Sequence, residues 1–326
     1  MAFRKEQFRR ALGNWFRQYG RDLPWRRTRD PYAVLVSELM LQQTQVATVI
    51  PYYHAWLRRF PDFATLSRAS DDEVLHAWQG LGYYARARNL RATAQKVVDE
   101  YGCRFPRLIE QMQQLPGIGK YTAHAIASFA FDQPVPIVEA NTARVLSRLF
   151  NRRVAIDSNA GRTTLWKDAA MLVPKSNARM YNSALTDLGA LVCLPRKAKC
   201  DICPVEKFCG AKDPEALPVT RPRLRLRRLT ENHALMLRRG KMLLEQSSTR
   251  WRGMWILPRL QIATGRPIYT SAFPFTHHQV ELVVYRRPAP KQIAPDQRWF
   301  ASIDHIPMPS PHRRAAAYLL EAANIR

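Results

Sequence analysis

LPGIGKYTAHAIASFAF, residues 115–131, followed after a Pro-bearing turn by PIVEANTARVLSRLF, residues 136–150, decides how the rest of the chain is read. Leu115-Pro116-Gly117-Ile118-Gly119 is predicted to form a tight turn, because its two glycines free the backbone and let it approach a ligand closely. Lys120-Tyr121-Thr122-Ala123 then opens a helix. A glycine turn feeding a helix N-terminus presents unpaired N–H groups, which suit an anion such as a DNA phosphate, so Gly117, Gly119 and Lys120 are candidate DNA contacts. A glycine-rich connection between two core helices is the plainer alternative. The carboxylate of Glu139, a short stretch downstream and just before a second helix, tips the balance towards a site.

Composition sets the bounds. With 326 residues the chain can form two domains, each with its own core. Lys and Arg number 51 against 26 Asp and Glu, and a net charge of +25 spread through the chain points to a polyanionic partner, nucleic acid. No apolar run reaches the ~18 residues of a membrane span, and MAFRKEQFRR has no signal-peptide apolar region. A cytoplasmic, nucleoid-associated monomer is expected. Cys103, Cys193, Cys200, Cys203 and Cys209 make an odd count, which fits reduced thiols better than a disulfide framework.

Phe8, Leu12, Trp15, Phe16 and Tyr19 recur at helical spacing up to Gly20. A second helix is predicted from Pro31 to about Val49, with Val34, Leu35, Leu39 and Met40 towards a core and Glu38 among them. A carboxylate on an apolar stripe is costly to bury ionised, so its pKa should rise until it holds a proton near neutral pH. Glu38 is therefore a candidate general acid, unless it lies at the stripe's edge and reaches water. Ser70 and Glu73 form a capping box before Val74, Leu75 and Trp78. In GLGYYARARNL, residues 80–90, the glycines allow a corner, the tyrosines offer stacking faces, and Arg86 and Arg88 can meet phosphates. Cys193, Cys200, Cys203 and Cys209 are spaced C-x6-C-x2-C-x5-C, and four thiolates can hold either tetrahedral zinc or a cubane cluster.

Residues 213–229 are rich in Pro and Arg, lack periodicity, and read as a linker. Beyond it the character changes. Residues 234–237 and 242–244 around Arg239-Gly240 read as a β-hairpin, residues 280–285 as another strand, and residues 311–323 as a helix. The expected fold is an all-α domain over residues 1–212 followed by a smaller α+β domain over residues 230–326.

Taken together, the stretches around Gly117 and Glu139 resemble the helix-hairpin-helix DNA glycosylases, and SELMLQQTQV, residues 37–46, resembles the signature of the adenine DNA glycosylases of the MutY family. The resemblance implies that Glu38 protonates the purine leaving group, that Gln42, beside Gln43, wedges into the base stack, and that Trp25 and Arg26 of LPWR line the adenine pocket. It implies that Tyr83 intercalates beside 8-oxoguanine. Bifunctional relatives carry a Schiff-base lysine where this chain has Tyr121, so a monofunctional enzyme without lyase chemistry is expected, with Tyr121 supporting the catalytic carboxylates. The cysteine spacing matches the [4Fe–4S] loop of endonuclease III and the adenine glycosylases. The C-terminal part resembles their Nudix-like domain through WRGMWILPRL, residues 251–260, although residues 259–270 contain no acid, which excludes pyrophosphohydrolase chemistry. Phe275-Thr276-His277 then matches the loop that reads 8-oxoguanine.

Two positions depart from the family pattern. Glu139-Ala140-Asn141 stands where Asp-Gly-Asn is usual, placing a longer carboxylate beside the sugar. Ser183 stands where a Gln or Glu commonly contacts the extruded adenine. The expected activity is hydrolysis of adenine from 8-oxoguanine·adenine or guanine·adenine mispairs in double-stranded DNA. The departures keep open a glycosylase of different base preference, such as thymine in G·T, and a lesion-binding homologue that does not cut.

Overall fold

The computed structural model describes residues 3–222, 227–275 and 277–324. Its helices are α1 (Lys5–Tyr19), α2 (Pro31–Leu41), α3 (Val46–Arg59), α4 (Phe63–Arg68), α5 (Asp71–Ala77), α6 (Ala85–Tyr101), α7 (Ile109–Gln113), α8 (Lys120–Phe129), α9 (Ala140–Leu149), α10 (Asn159–Leu172) and α11 (Ala178–Leu191). There follow strands β1 (Arg227–Leu235), β2 (Leu237–Arg238), β3 (Lys241–Gln246), β4 (Trp255–Ile256), β5 (Tyr269–Phe275), β6 (His278–Arg286) and β7 (Gln297–Phe300), and helix α12 (Ser310–Asn324). A helical region followed by an α+β region is the expected order.

The chain packs as two compact units. One comprises Met1–Tyr53, Asp62–Ala64 and Thr93–Pro222, the other His54–Pro61, Thr65–Ala92 and Arg223–Arg326. In the first, Phe8 and Leu12 of α1 meet Leu146 and Leu149 of α9 and Leu185 and Leu188 of α11 in an apolar core that also takes Leu165 and Leu172 of α10. Leu217, in the stretch read as a linker, is buried in this unit, and its carbonyl accepts from Arg148 Nε at 3.0 Å.

The second helix ends sooner than its apolar pattern predicts. Asp30 caps α2 by accepting from the Tyr32 and Ala33 backbone N–H groups, and Val34, Leu35, Leu39, Met40 and Glu38 are all buried. At Gln42 the backbone leaves the helix, and Gln43 is left-handed with φ 58°. The helix to Val49 is thus two helices around a turn, and periodicity misses the break because apolar residues resume in register on α3. The turn brings Gln42 and Gln43 to the site described below.

In the second unit one sheet has the order β1-β6-β5, with β1 parallel and β5 antiparallel to the central β6. A second sheet places β3 against β2, β4 and β7. The hairpin at Arg239-Gly240 is as expected, with both turn residues left-handed at φ 48° and 72°, the geometry of a two-residue turn that matches strand twist. Trp56 and Trp78 pack edge to face, while Arg88 Nη1 donates to the Arg252 carbonyl (2.8 Å) and Arg313 Nη2 to Gln79 Oε1 (3.0 Å). These bonds fasten the helical segment 65–92 to the strand-rich part. Among the described residues no helix is long and apolar enough to cross a membrane.

Candidate active site

The hairpin turn precedes α8 as the sequence predicts. Gly117 has φ 74°, a left-handed conformation that a side chain would strain. Gly119 is the N-cap of α8 with no side-chain cap, and a Cβ there would meet nothing within 4 Å. Lys120 turns away: its ammonium sits 4.1 Å from the centre of the Trp166 ring.

One residue further along α8, Tyr121 enters a cavity of about 490 Å³ in the first unit. Its hydroxyl donates to Glu38 Oε2 at 2.8 Å. Glu38 is 5% exposed, and burial pushes its pKa up to about 7. The Tyr121 hydrogen bond pulls the other way, the neighbouring Glu139 carboxylate raises it further, and Arg26 lowers it. At neutral pH Glu38 is about half protonated, a group able to give a proton at little cost. Tyr121, buried against two carboxylates, is held well above the usual phenol range, so its hydroxyl keeps its proton.

Glu139 lines the same cavity. It also caps α9, accepting from the backbone N–H of Asn141 (2.8 Å) and Thr142 (2.9 Å), while Thr142 Oγ1 accepts from the Glu139 N–H at 2.8 Å. This capping fixes the carboxylate at the helix N-terminus, where the dipole favours a negative charge. Burial nevertheless raises its pKa, offset in part by those two backbone bonds. Asn141 Oδ1 accepts from Arg144 Nη2 (2.9 Å), which also donates to the Gly189 carbonyl (2.7 Å). Gly189 must stay bare, since a Cβ would come within 2.7 Å of Asn141 Cβ.

Trp25, Arg26, Gln42, Gln43 and Ser183 complete the lining that the sequence singles out. Arg21, Arg179 and, behind the wall, Asp187 were not singled out. Asp187 is fully buried on α11 and accepts from Arg21 Nε (2.8 Å) and Nη2 (2.6 Å) and from Arg26 Nη1 (2.7 Å) and Nη2 (2.9 Å). Burial alone would raise its pKa, but the Arg26 and Arg21 hydrogen bonds outweigh it and the carboxyl lies below the ordinary range. Asp187 therefore fixes both guanidinium groups at the cavity wall. An acid inside the apolar run MYNSALTDLGALVC carries the same signal that marks Glu38.

Cys193, Cys200, Cys203 and Cys209 are all unpaired thiols. Burial, and to a smaller extent the neighbouring cysteines, raises the pKa of Cys200, Cys203 and Cys209, with Cys203 pushed up to about 11. Arg148, itself buried, donates through Nη1 to Cys193 Sγ at 3.2 Å. Four free thiols within the loop 193–209, one of them bonded to a guanidinium, have the chemistry of a four-thiolate ligand set. Among the described residues no three His, Cys, Asp or Glu side chains are arranged to hold a single metal ion.

The second unit holds the other predicted contacts. Tyr83 is 48% exposed with φ 47°. Arg86, read from sequence as a phosphate contact, is buried and donates instead to the carbonyls of Leu81 and Gly82 at 3.0 and 3.1 Å. Phe275 lies at the end of β5, and His277 is an exposed turn residue. Thr276 lies outside the described residues.

Residues 36–168, which span the Glu38 helix, the hairpin and Glu139, match the family described as HhH-GPD superfamily base excision DNA repair protein. A solved structure of a thermostable thymine-DNA glycosylase is 33% identical, with a TM-score of 0.59, over 63% of this chain and 95% of its own. The chain belongs to the HhH-GPD superfamily of base excision DNA repair proteins. Its curated relatives include the adenine DNA glycosylase of Homo sapiens, 47% identical over 216 residues, 63% of this chain and 39% of the relative. The adenine DNA glycosylase of Mycolicibacterium smegmatis is 42% identical over 195 residues, 60% of this chain and 66% of the relative. The chain thus spans less than two thirds of the length of these curated relatives. The resemblance to adenine DNA glycosylases read from SELMLQQTQV is borne out by these similarities.

Proposed function

We propose that this HhH-GPD protein is a monofunctional adenine DNA glycosylase of base excision repair, which hydrolyses the N-glycosidic bond of adenine paired with 8-oxoguanine or guanine in double-stranded DNA. The observation that carries the reading is Glu38, buried, hydrogen-bonded by Tyr121 and raised to about 7, in one cavity with a second carboxylate, Glu139. A purine leaves as a neutral base only if it is protonated, and Glu38 is the donor poised for that step. As the bond to C1′ stretches, positive charge builds on the sugar, and the ionised Glu139 stabilises it in a site with little water. Tyr121 orients Glu38, and Asn141 stands beside the sugar's side of the cavity. With Tyr121 in place of a lysine and Lys120 held over Trp166, no amine attacks C1′, so the product is an intact strand with an abasic site.

The hairpin N–H groups behind Gly117 and Gly119, with the large basic excess, hold the DNA backbone. Trp25, Arg26 and Ser183 receive the extruded base, and Gln42 with Gln43 fills the space it leaves. Cys193, Cys200, Cys203 and Cys209 would hold a [4Fe–4S] cluster. When bound it would tie the loop 193–209 to α9 through Arg148 and present Arg196, Lys197, Lys199 and Lys207 to phosphates. Residues 230–326 are a Nudix-like recognition module, packed in one unit with residues 54–61 and 65–92, in which Phe275, Thr276 and His277 read 8-oxoguanine.

A second reading, release of thymine from G·T, is favoured by the small Ser183 and by likeness to a thymine-DNA glycosylase structure. It is disfavoured by Glu38, whose proton a pyrimidine leaving group does not require. Single-turnover reactions on duplexes carrying 8-oxoguanine·A, G·A, G·T and 8-oxoguanine·C separate the two. Adenine release, faster opposite 8-oxoguanine, supports the proposal. Thymine release with adenine left in place refutes it.

A further inference from the structure

In the second unit the corner Gly80–Tyr84 carries three left-handed residues, Gly80 (φ 105°), Gly82 (φ 70°) and Tyr83 (φ 47°). Glycine adopts this conformation freely, but a tyrosine is strained in it and keeps it only where its surroundings impose it. Packing of the ring does not impose it, since Tyr83 is half exposed. The constraint comes from the inner side of the corner. Arg86 Nη2 donates to the Leu81 carbonyl (3.0 Å) and to the Gly82 carbonyl (3.1 Å), Trp78 Nε1 donates to that same Gly82 carbonyl (3.1 Å), and the Arg86 N–H donates to the Tyr83 carbonyl (2.9 Å). The guanidinium stands 5.4 Å from the ring centres of both Trp78 and Tyr83. Burial lowers its pKa to about 10, which leaves it charged at neutral pH. A cavity of about 280 Å³ separates the corner from Trp251, Phe273, Pro274 and Phe275.

We propose that Arg86 is a positioning residue for recognition of the base opposite adenine: it locks the strained Gly82-Tyr83 corner so that the Tyr83 ring stands ready, before DNA arrives, at the base stack facing Phe275. The proposal rests on the reading of Tyr83 as a DNA-stacking residue given above. Its physical content is preorganisation. Ordering an exposed ring and a strained backbone at the moment of binding would subtract from affinity, whereas Arg86 meets that cost during folding. Lysine is a poor replacement, because its compact ammonium has no flat face to lie against the Trp78 and Tyr83 rings while it donates to the Leu81 and Gly82 carbonyls.

The test uses the full chain with Arg86→Met, Tyr83→Ser and the double variant, on duplexes carrying 8-oxoguanine·A and G·A. The half-saturating enzyme concentration in single turnover is read together with the fluorescence of 2-aminopurine placed beside the mispair, which stacking of Tyr83 quenches. Loss of the preset ring is expected to raise the half-saturating concentration on 8-oxoguanine·A about tenfold in each single variant. The same variants should release the quench, and the double variant should be no worse than either single one. The slope of log affinity against log salt should stay as in the parent, since no phosphate contact is removed.

Additive losses, or weakened binding by Arg86→Met with the quench intact, would overturn the proposal. A salt slope shallower by about one would instead make Arg86 a phosphate contact and overturn it equally. If Tyr83→Ser changes neither readout, the reading of Tyr83 itself fails, and the proposal falls with it. Should Arg86→Met not fold, Arg86→Lys keeps the charge and much of the packing, and is subject to the same outcomes at smaller amplitude.

Discussion

Glu38→Gln separates the chemistry of the buried carboxyl from its energetic cost to the fold. Burial moves Glu38 from an ordinary 4.5 to about 7, so between these values the folded chain holds a proton that the unfolded chain has released. Stability therefore falls as pH rises through that interval and stays low above it, by about 3 kcal/mol at 1.36 kcal/mol per pH unit. Glutamine keeps the shape and can still accept from the Tyr121 hydroxyl, but carries no charge to desolvate. The variant should be as stable as the parent near pH 4.5 and more stable above pH 7. Its melting temperature at pH 8 should be higher by about 2–4 °C for each kcal/mol recovered. It should bind mispaired duplex like the parent and lose about 10²–10⁴-fold or more in base release, the range ascribed to a positioned general acid. Thermal melts at pH 5 and pH 8, with single-turnover kinetics on the same preparations, give both numbers. A variant no more stable at pH 8 would refute the buried, proton-holding Glu38, and near-parental base release would refute its role as acid.

Other consequences follow from the same geometry. Tyr121→Phe removes the hydrogen bond that lowers the Glu38 pKa, so the alkaline limb of the pH–rate profile, near 7 in the parent, should move up by about one pH unit, the scale of a bond to a charged group. Asp187→Ala leaves the guanidinium groups of Arg21 and Arg26 without their shared carboxylate and should cost about 3–5 kcal/mol in urea unfolding. A loss under 1 kcal/mol would show that the triad is solvated. Purified protein should be yellow-brown with about four irons per chain, the content of a [4Fe–4S] cluster. A colourless, zinc-loaded and fully active preparation would contradict the assignment to the four cysteines.

Much of the site is legible in sequence because the chemistry is local. An acid inside PYAVLVSELML is conspicuous against its apolar neighbours, and the hairpin turn is written in Gly117 and Gly119. What sequence does not reveal depends on partners far along the chain. Asp187 meets Arg21 and Arg26 more than 150 residues away in sequence, and periodicity says nothing about such pairs. Arg86 looks like its neighbour Arg88, a basic residue near an aromatic corner. Only the fold shows that Arg86 faces inward and bonds to carbonyls. The end of α2 at Leu41 is hidden because Gln42 and Gln43 are good helix formers, and their departure from the helix is imposed by tertiary structure. The pairing of β1 with β6, parallel and remote, likewise leaves no mark in either strand alone.

The most direct test of the proposed chemistry is the fate of an 8-oxoguanine·adenine duplex in single turnover with excess protein, followed by both free-base analysis and strand length, with borohydride present in a parallel reaction. Free adenine should appear in stoichiometric amount, the strand should stay intact until alkali is added, and no covalent protein–DNA adduct should form. Strand scission without alkali, an adduct trapped by borohydride at the rate of base loss, or a duplex left untouched would contradict a monofunctional adenine glycosylase.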